Sequence, residues 1–298
     1  MAPRGDTFTR LERPRPLQKK IAWVIGNALA ENFAPLLSFV HIELVLVGLV
    51  VGVLVGLTGV GGGSIMTPLL VQVLGVNPLV AVGTDLLYSV PTRLYGAFLH
   101  RQQGTVNPQI VKALLWGGLP ASLAGLALLY WLRHNVDIAL IELWTRRAIG
   151  VMLFLAAGMI LGQPFFRKNQ LQKSTQPFAW APGRRASVIA LGAVVGLIVT
   201  LTSIGSGAVT LPLLALALPF VGLPELIGSD IAFAAFLIPA AALGRWTMGD
   251  VNVGLAFNLL IGSLPGVYIG SKLCTRLHAR WLRPAVAVTL IFVGTRLI

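Results

Sequence analysis

Residues 56 to 70 read GLTGVGGGSIMTPLL, with five glycines and a proline in an otherwise apolar neighbourhood. Glycine loosens a helix and proline withholds a backbone donor, so this stretch is no plain spanning helix. Residues 200 to 214, TLTSIGSGAVTLPLL, repeat the pattern. Any fold for this chain has to place two backbone breaks in apolar surroundings.

Those surroundings are a membrane. Of 298 residues, 56% are hydrophobic and 11% charged, against about 25% charged in a soluble domain. Runs such as LVLVGLVVGVLVGL (44–57) and ALLWGGLPASLAGLALLYWL (113–132) suit spans of about 20 apolar residues. The expected class is an all-α, multi-pass integral membrane protein of the cytoplasmic membrane, with the lipid bilayer as its first partner.

A net charge of +13 does not indicate nucleic acid, because the cations lie between the apolar runs. Six of the 23 Lys and Arg are in the first 20 residues and five more in 163–187. Cytoplasmic loops collect such residues, so the N-terminus and the 163–186 linker are expected on the cytoplasmic side. Residues 1–43 read as a basic tail without a cleavable signal, followed by an interfacial helix over 21–39. The lone Cys274 excludes an internal disulfide or a cysteine cluster. His41, His100, His134 and His278 sit at block edges without ligand spacing, so neither a metal nor a cofactor is expected. No nucleophile–base set or paired carboxylates appear in the spans, and an enzyme is not expected.

The chain matches itself at an offset of about 144 residues. Gly48, Gly52, Thr58, Gly61, Gly63 and Pro68 align with Gly192, Gly196, Thr202, Gly205, Gly207 and Pro212. After a one-residue slip, Gly83-Thr84-Asp85 meets Gly228-Ser229-Asp230, and Gly104, Val106 and Asn107 meet Gly249, Val251 and Asn252. Two homologous halves follow, 44–162 and 187–298, a common construction of secondary transporters. Each half holds four apolar blocks, about eight spans in all. An even number of crossings per half puts tail and linker on one face. A full hairpin over 44–76 would instead invert the second half relative to the first. A discontinuous or re-entrant element fits the block's length: a short helix, an unwound glycine segment, and a second short helix starting near Ser64.

Irregular backbone inside a bilayer survives only where protein or a wet cavity satisfies it. Unwinding 59–63 exposes N–H groups, and the following half-helix adds the positive end of its dipole, which together make an anion site without a cation. Gly61, Gly62, Gly63 and Ser64, with Thr58, are candidate ligands from the first break. Thr202, Ser203, Gly205, Ser206 and Gly207 face them from the second. Gly48, Gly52, Gly56, Gly192 and Gly196 instead suit close helix packing. Neither break continues into Gly-Lys-Ser/Thr, so no nucleotide loop is indicated.

Of ten acids, only Asp85 and Asp230 lie well inside the apolar blocks. Two readings compete: proton carriers for a coupled transporter, or first-turn residues of helices capped by Thr84 and Ser229. Arg93 is about 12 Å of helix rise from Asp85 and does not pair with it within one segment. It either binds an anionic substrate or snorkels to the interface. Its matched position is Ile238, so the halves differ there. His100 and Arg245, also matched, read as interfacial charges, and Asn107 and Asn252 as caps before the next span.

At its two glycine breaks the sequence resembles the sulfite exporter TauE/SafE family. The family's Gly-x-Gly-Gly-Gly-x-x-x-x-Pro segment is carried by Gly59, Gly61, Gly62, Gly63 and Pro68, and more loosely by Gly205, Gly207 and Pro212. Ala81-Val82-Gly83-Thr84 resembles the family's Ala-x-Gly-Thr segment. The resemblance implies an eight-span carrier that exports small sulfur-containing anions such as sulfite or organosulfonates, coupled to a proton gradient. Ser206 replaces a motif glycine in the second half, and Asp85 and Asp230 stand where many members would carry a small polar residue. Proton coupling through these two is therefore read from the residues alone. An uncoupled anion channel, a carrier of other small organic anions and an assembly protein with purely structural glycines are the alternatives. The oligomeric state is left open, a homo-oligomer included.

Overall fold

The computed structural model describes residues 41–58, 62–167, 183–274 and 279–298. The 1–40 tail with its expected interfacial helix, Gly59 and Gly61 of the first break, and most of the linker lie outside them. From Ile42 onward the chain forms one unit. All its regular structure among the described residues is helical: α1 Ile42–Thr58, α2 Gly63–Gln72, α3 Pro78–Gln102, α4 Pro108–Asn135, α5 Ile138–Arg167, α6 Arg184–Thr202, α7 Thr210–Ala217, α8 Leu223–Thr247, α9 Val253–Cys274 and α10 Ala279–Leu297. Within α4, α6, α8 and α9 there is a stretch long and apolar enough to cross a membrane.

Helix starts follow local chemistry. Asn77 caps α3, its side chain accepting from Leu79 N, and Asn107 caps α4 by accepting from Gln109 N and Ile110 N. Each is followed by a proline, whose missing N–H costs nothing in a first turn. The caps correct one expectation. Asp85 lies two turns inside α3 and Asp230 two turns inside α8, so neither is a first-turn residue. The hydroxyls of Thr84 and Ser229 cap nothing; they accept from Asn252 N and Asn107 N, each across the molecule, at 3.0 Å.

The most extensive helix contacts are α1 with α9, α4 with α6, α3 with α8, and α5 with α10. Small residues make the first two. A methyl on Gly48 or Gly52 would strike the backbone of Leu259 or Ser263, and one on Gly192 or Gly196 that of Leu114 or Gly118. These four glycines have the packing role expected of them.

Contact order along each pair gives its direction. α1 runs parallel to α9 (Val45 beside Gly262, Leu49 beside Gly266), and α4 parallel to α6 (Leu114 beside Gly192, Gly118 beside Gly196). α4 also parallels α8, through Gly118 beside Phe233 and Leu126 beside Gly244. α3 and α8 run antiparallel: Gly83 meets Asp250 at one end and Gly228 meets Thr105 at the other. α9 advances with α3, from Thr84 beside Asn252 to Tyr88 beside Ser263. Thus α1, α3 and α9 point one way and α4, α6 and α8 the other.

A single broken span over 44–76 would set α1 and α3 in opposite directions, and here they point the same way. Because α1 and α3 point the same way, the chain between them doubles back, and α2 is the returning limb. The same holds for α7 between α6 and α8, where Arg184 at the start of α6 donates to Ala217 O at the end of α7, at 2.6 Å. At 10 and 8 residues, α2 and α7 extend about 15 and 12 Å, half the hydrocarbon thickness. Each break is the tip of a re-entrant hairpin that returns to the face it entered. The start of α1 and the start of α6 therefore lie at opposite ends of the bundle. Counting cations in loops missed this, since the parity of crossings depends on the backbone path through the break.

Candidate functional site

The end of α6 and the start of α2 touch. α6 stops at Ser203, whose φ of 60° is left-handed, an uncommon conformation for a non-glycine residue. Its N–H returns to Val199 O at 2.8 Å. A side chain on Gly63 would collide with Ser203 O, so glycine at 63 is what lets α2 begin against this turn. Gly205 and Gly207 continue the irregular path with φ of 144° and 88°. The two segments expected to face each other are thus brought together through Gly63 and Ser203.

Asp85 bridges them. It is fully buried on α3, and its Oδ2 accepts from Thr67 Oγ1 of α2 at 2.6 Å and from Ser203 Oγ at 2.7 Å. Asp230, buried on α8, has the Thr210 side chain and the Gly207 amide as hydrogen-bonding neighbours. Asp85 thus receives a bond from the returning half-helix α2, while Asp230 lies beside Thr210 at the start of α7, whose hydroxyl donates to Gly205 O at 3.0 Å. Asp85 Oδ1, Asp230 Oδ1 and Ser206 Oγ are buried with no hydrogen-bond partner among the described residues. Unpartnered buried polar atoms are rare in proteins; the fourth among the described residues, Arg133 Nε, belongs to the ion pair with Asp250.

Arg93 joins the same region. Its Nη2 donates to Ser206 O at 3.3 Å, and its charge acts on both Asp85 and Asp230. The side chain turns toward the second break, which answers the choice against snorkelling. Ile238, its matched position, is buried.

The remaining candidates separate. Thr202 Oγ1 donates to Ile198 O at 2.8 Å and accepts from Ile204 N at 3.2 Å, so this hydroxyl shapes the turn. Ser64 is buried and lines a mostly apolar cavity of about 140 Å³ with Leu54, Pro68 and Leu290. Gly62 has helical dihedrals, and a methyl there would come within 3.3 Å of Tyr88 Cε1. Thr58 ends α1, but its side chain, like Gly61, falls outside the described residues.

Three residues near the site escaped the sequence reading. Thr67 and Thr210 sit beside the motif prolines, where a hydroxyl looked like helix filler. The third is Arg245, expected at an interface but 0% exposed. It donates to Thr200 O, Leu201 O and Asp250 Oδ2, and Asp250 Oδ1 also pairs with Arg133 of α4. Asp250, an acid at a span edge otherwise rich in cations, was the available signal. Asn107 and Asn252 act as caps as expected, with Leu255 N donating to Asn252 Oδ1. Among the described residues, no group of three or more His, Cys, Asp or Glu is placed to hold a metal.

Apolar helices, re-entrant limbs and a polar cluster between them define a multi-pass membrane permease. The chain belongs to the sulfite exporter TauE/SafE family, whose model matches residues 44–297. Among curated proteins it is 41% identical over 268 residues to the probable membrane transporter protein YjnA of Bacillus subtilis, covering 86% of this chain and 99% of that one. It is 25% identical over 258 residues to the probable membrane transporter protein YdhB of the same organism, covering 86% and 99%. No solved structure matches.

Proposed function

We propose that this permease is a secondary active transporter of a small sulfur-containing anion, sulfite or an organosulfonate, coupled to protons through Asp85 and Asp230. The observation that carries the reading is the junction of Gly63, Ser203 and Asp85, where two re-entrant limbs converge on a buried carboxyl. The anion would lie between the amides of Gly61, Gly62 and Gly63 on one side and Ser203, Gly205, Ser206 and Gly207 on the other. Thr58, Ser64 and Thr202 would frame it, and Arg93 would add positive charge from α3.

An anion at the Thr67 and Ser203 hydroxyls competes with the Asp85 carboxylate for the same donors and repels its charge. Loading an anion therefore goes with loading a proton on Asp85, and the two move together. Flux follows the sum of the two gradients: an acidic exterior drives uptake, and export requires an outward anion gradient that exceeds the inward proton gradient.

The opposed helix directions support two homologous halves, 44–162 and 187–298, related by inversion. In such transporters each half can take the other's conformation, which exposes a fixed central site to either face in turn. α3, α4, α5, α8, α9 and α10 would supply full crossings, and α1 with α2 and α6 with α7 the re-entrant hairpins.

The test is flux of labelled sulfite and a labelled organosulfonate into proteoliposomes. The reading expects saturable uptake, faster when the outside is the more acidic compartment. Uptake linear in concentration and indifferent to the pH gradient would favour an uncoupled channel, the second reading, which shares this site.

A further inference from the structure

Arg245 is fully buried in an apolar bundle, the costliest place for a guanidinium. What it does there is specific. Its Nε and Nη2 donate to Thr200 O at 3.2 and 2.9 Å, and Nη2 also reaches Leu201 O at 3.0 Å. These carbonyls belong to the last turn of α6, where helix continuation supplies no amide and the dipole ends negative. The guanidinium satisfies both. Its Nη1 takes Asp250 Oδ2 at 3.1 Å, and Asp250 is held in turn by Arg133, whose Nη1 also donates to Met248 O at 2.6 Å.

Two residues past Leu201 stands Ser203, left-handed, with its hydroxyl on Asp85 and its carbonyl against Gly63. We propose that Arg245 is a positioning residue for the anion site: by pinning the end of α6 it fixes the pose of Ser203 and the second break. Asp250 neutralises it, and Arg133 ties the unit to α4 of the other half. The inference rests on the anion-carrier reading above. At the matched position, His100 Nδ1 lies 2.9 Å from Thr105 Oγ1, and Thr105 occupies the place of Asp250. The matched position thus carries an imidazole–hydroxyl contact in place of the guanidinium–carboxylate pair. Lysine is a poor substitute, because a single ammonium does not present the planar fork that meets two successive carbonyls and a carboxylate.

The test compares wild type, Arg245→Lys and the triple variant Arg133→Leu/Arg245→Met/Asp250→Leu, which removes the whole ion cluster and so leaves none of its charges unpaired if the lysine variant fails to fold. Folded protein is quantified by size exclusion. KM and Vmax for sulfite are then measured in proteoliposomes, and amide hydrogen exchange is followed over 200–207 and 62–70. The expected result is at least a tenfold rise in KM with Vmax within twofold of wild type. Exchange should be at least tenfold faster at 200–207 and unchanged at 62–70. An unchanged KM in correctly folded variants, with or without a lower yield, would overturn the proposal and leave Arg245 as a stability residue. Wild type without saturable sulfite flux would overturn the carrier reading and the site role with it. Exchange at 200–207 would still show separately whether Arg245 holds the α6 end.

Discussion

The two ends of the α3–α8 pair share a backbone arrangement and differ in chemistry. At one end Gly83 lies against Asp250 and Thr84 accepts from Asn252 N; at the other Gly228 lies against Thr105 and Ser229 accepts from Asn107 N. Around the first end are Arg245, Asp250 and Arg133; around the second, His100, Thr105 and Glu225, which accepts from Asn107 Nδ2 at 2.6 Å. The small-residue contacts recur at both ends, and they depend on shape alone. Charge is free to differ, because a buried ion cluster is a local solution with its own desolvation cost. The lesson is that the frame is symmetric and the electrostatics are one-sided.

The largest expected effect breaks that comparison. Asp250→Ala strands the Arg245 guanidinium in the interior, a loss of about 3–5 kcal/mol, whereas Thr105→Val removes one hydroxyl link, worth about 1 kcal/mol. Thermal unfolding in detergent should show a large drop for the first and a small one for the second. Equal drops would mean that the ion cluster has no special role.

Next come the shared contacts. Gly83→Ala and Gly228→Ala each press a methyl into the backbone of the opposite turn, and each should cost about 1–3 kcal/mol by overpacking. Similar losses would sharpen the symmetry of the frame, and a loss in only one would count against it.

The aspartates test the comparison at the site itself. Asp85 holds two hydroxyls, one from each hairpin, while Asp230 meets its own half-helix. Asp85→Asn should abolish the acceleration of uptake by an acidic exterior, and Asp230→Asn should weaken it. Gradient-driven uptake unchanged in both variants would remove these residues from coupling. The smallest effect is expected from Arg93→Gln, which forfeits one charged hydrogen bond to Ser206 O. KM should rise about five- to tenfold, corresponding to about 1–1.4 kcal/mol; no change in KM would place the guanidinium outside the site.

Much of this was legible in the sequence. Glycine runs and prolines marked both breaks, since few other residues disrupt an apolar helix, and the matched Gly-Thr-Asp and Gly-Ser-Asp segments singled out Asp85 and Asp230. Helix direction was hidden. A 33-residue apolar block has the same composition whether it crosses or returns, and loop cations carry no information on the backbone path through the break. Gly-Thr-Asp imitated a helix start, although Asn77-Pro78, seven residues earlier, carried the true one. Arg245 looked interfacial because its partners come from α6 and from Asp250 in the turn after its own helix, none adjacent on its own helix face.

The central claim is that an anion lies where Gly63, Ser203 and Asp85 converge. Equilibrium binding of labelled sulfite to purified protein tests it most directly, with wild type beside Ser203→Ala and an exposed control, Gln109→Ala. The account predicts saturable binding that weakens at least fivefold in Ser203→Ala and stays unchanged in the control. Identical affinity in all three folded proteins would contradict it.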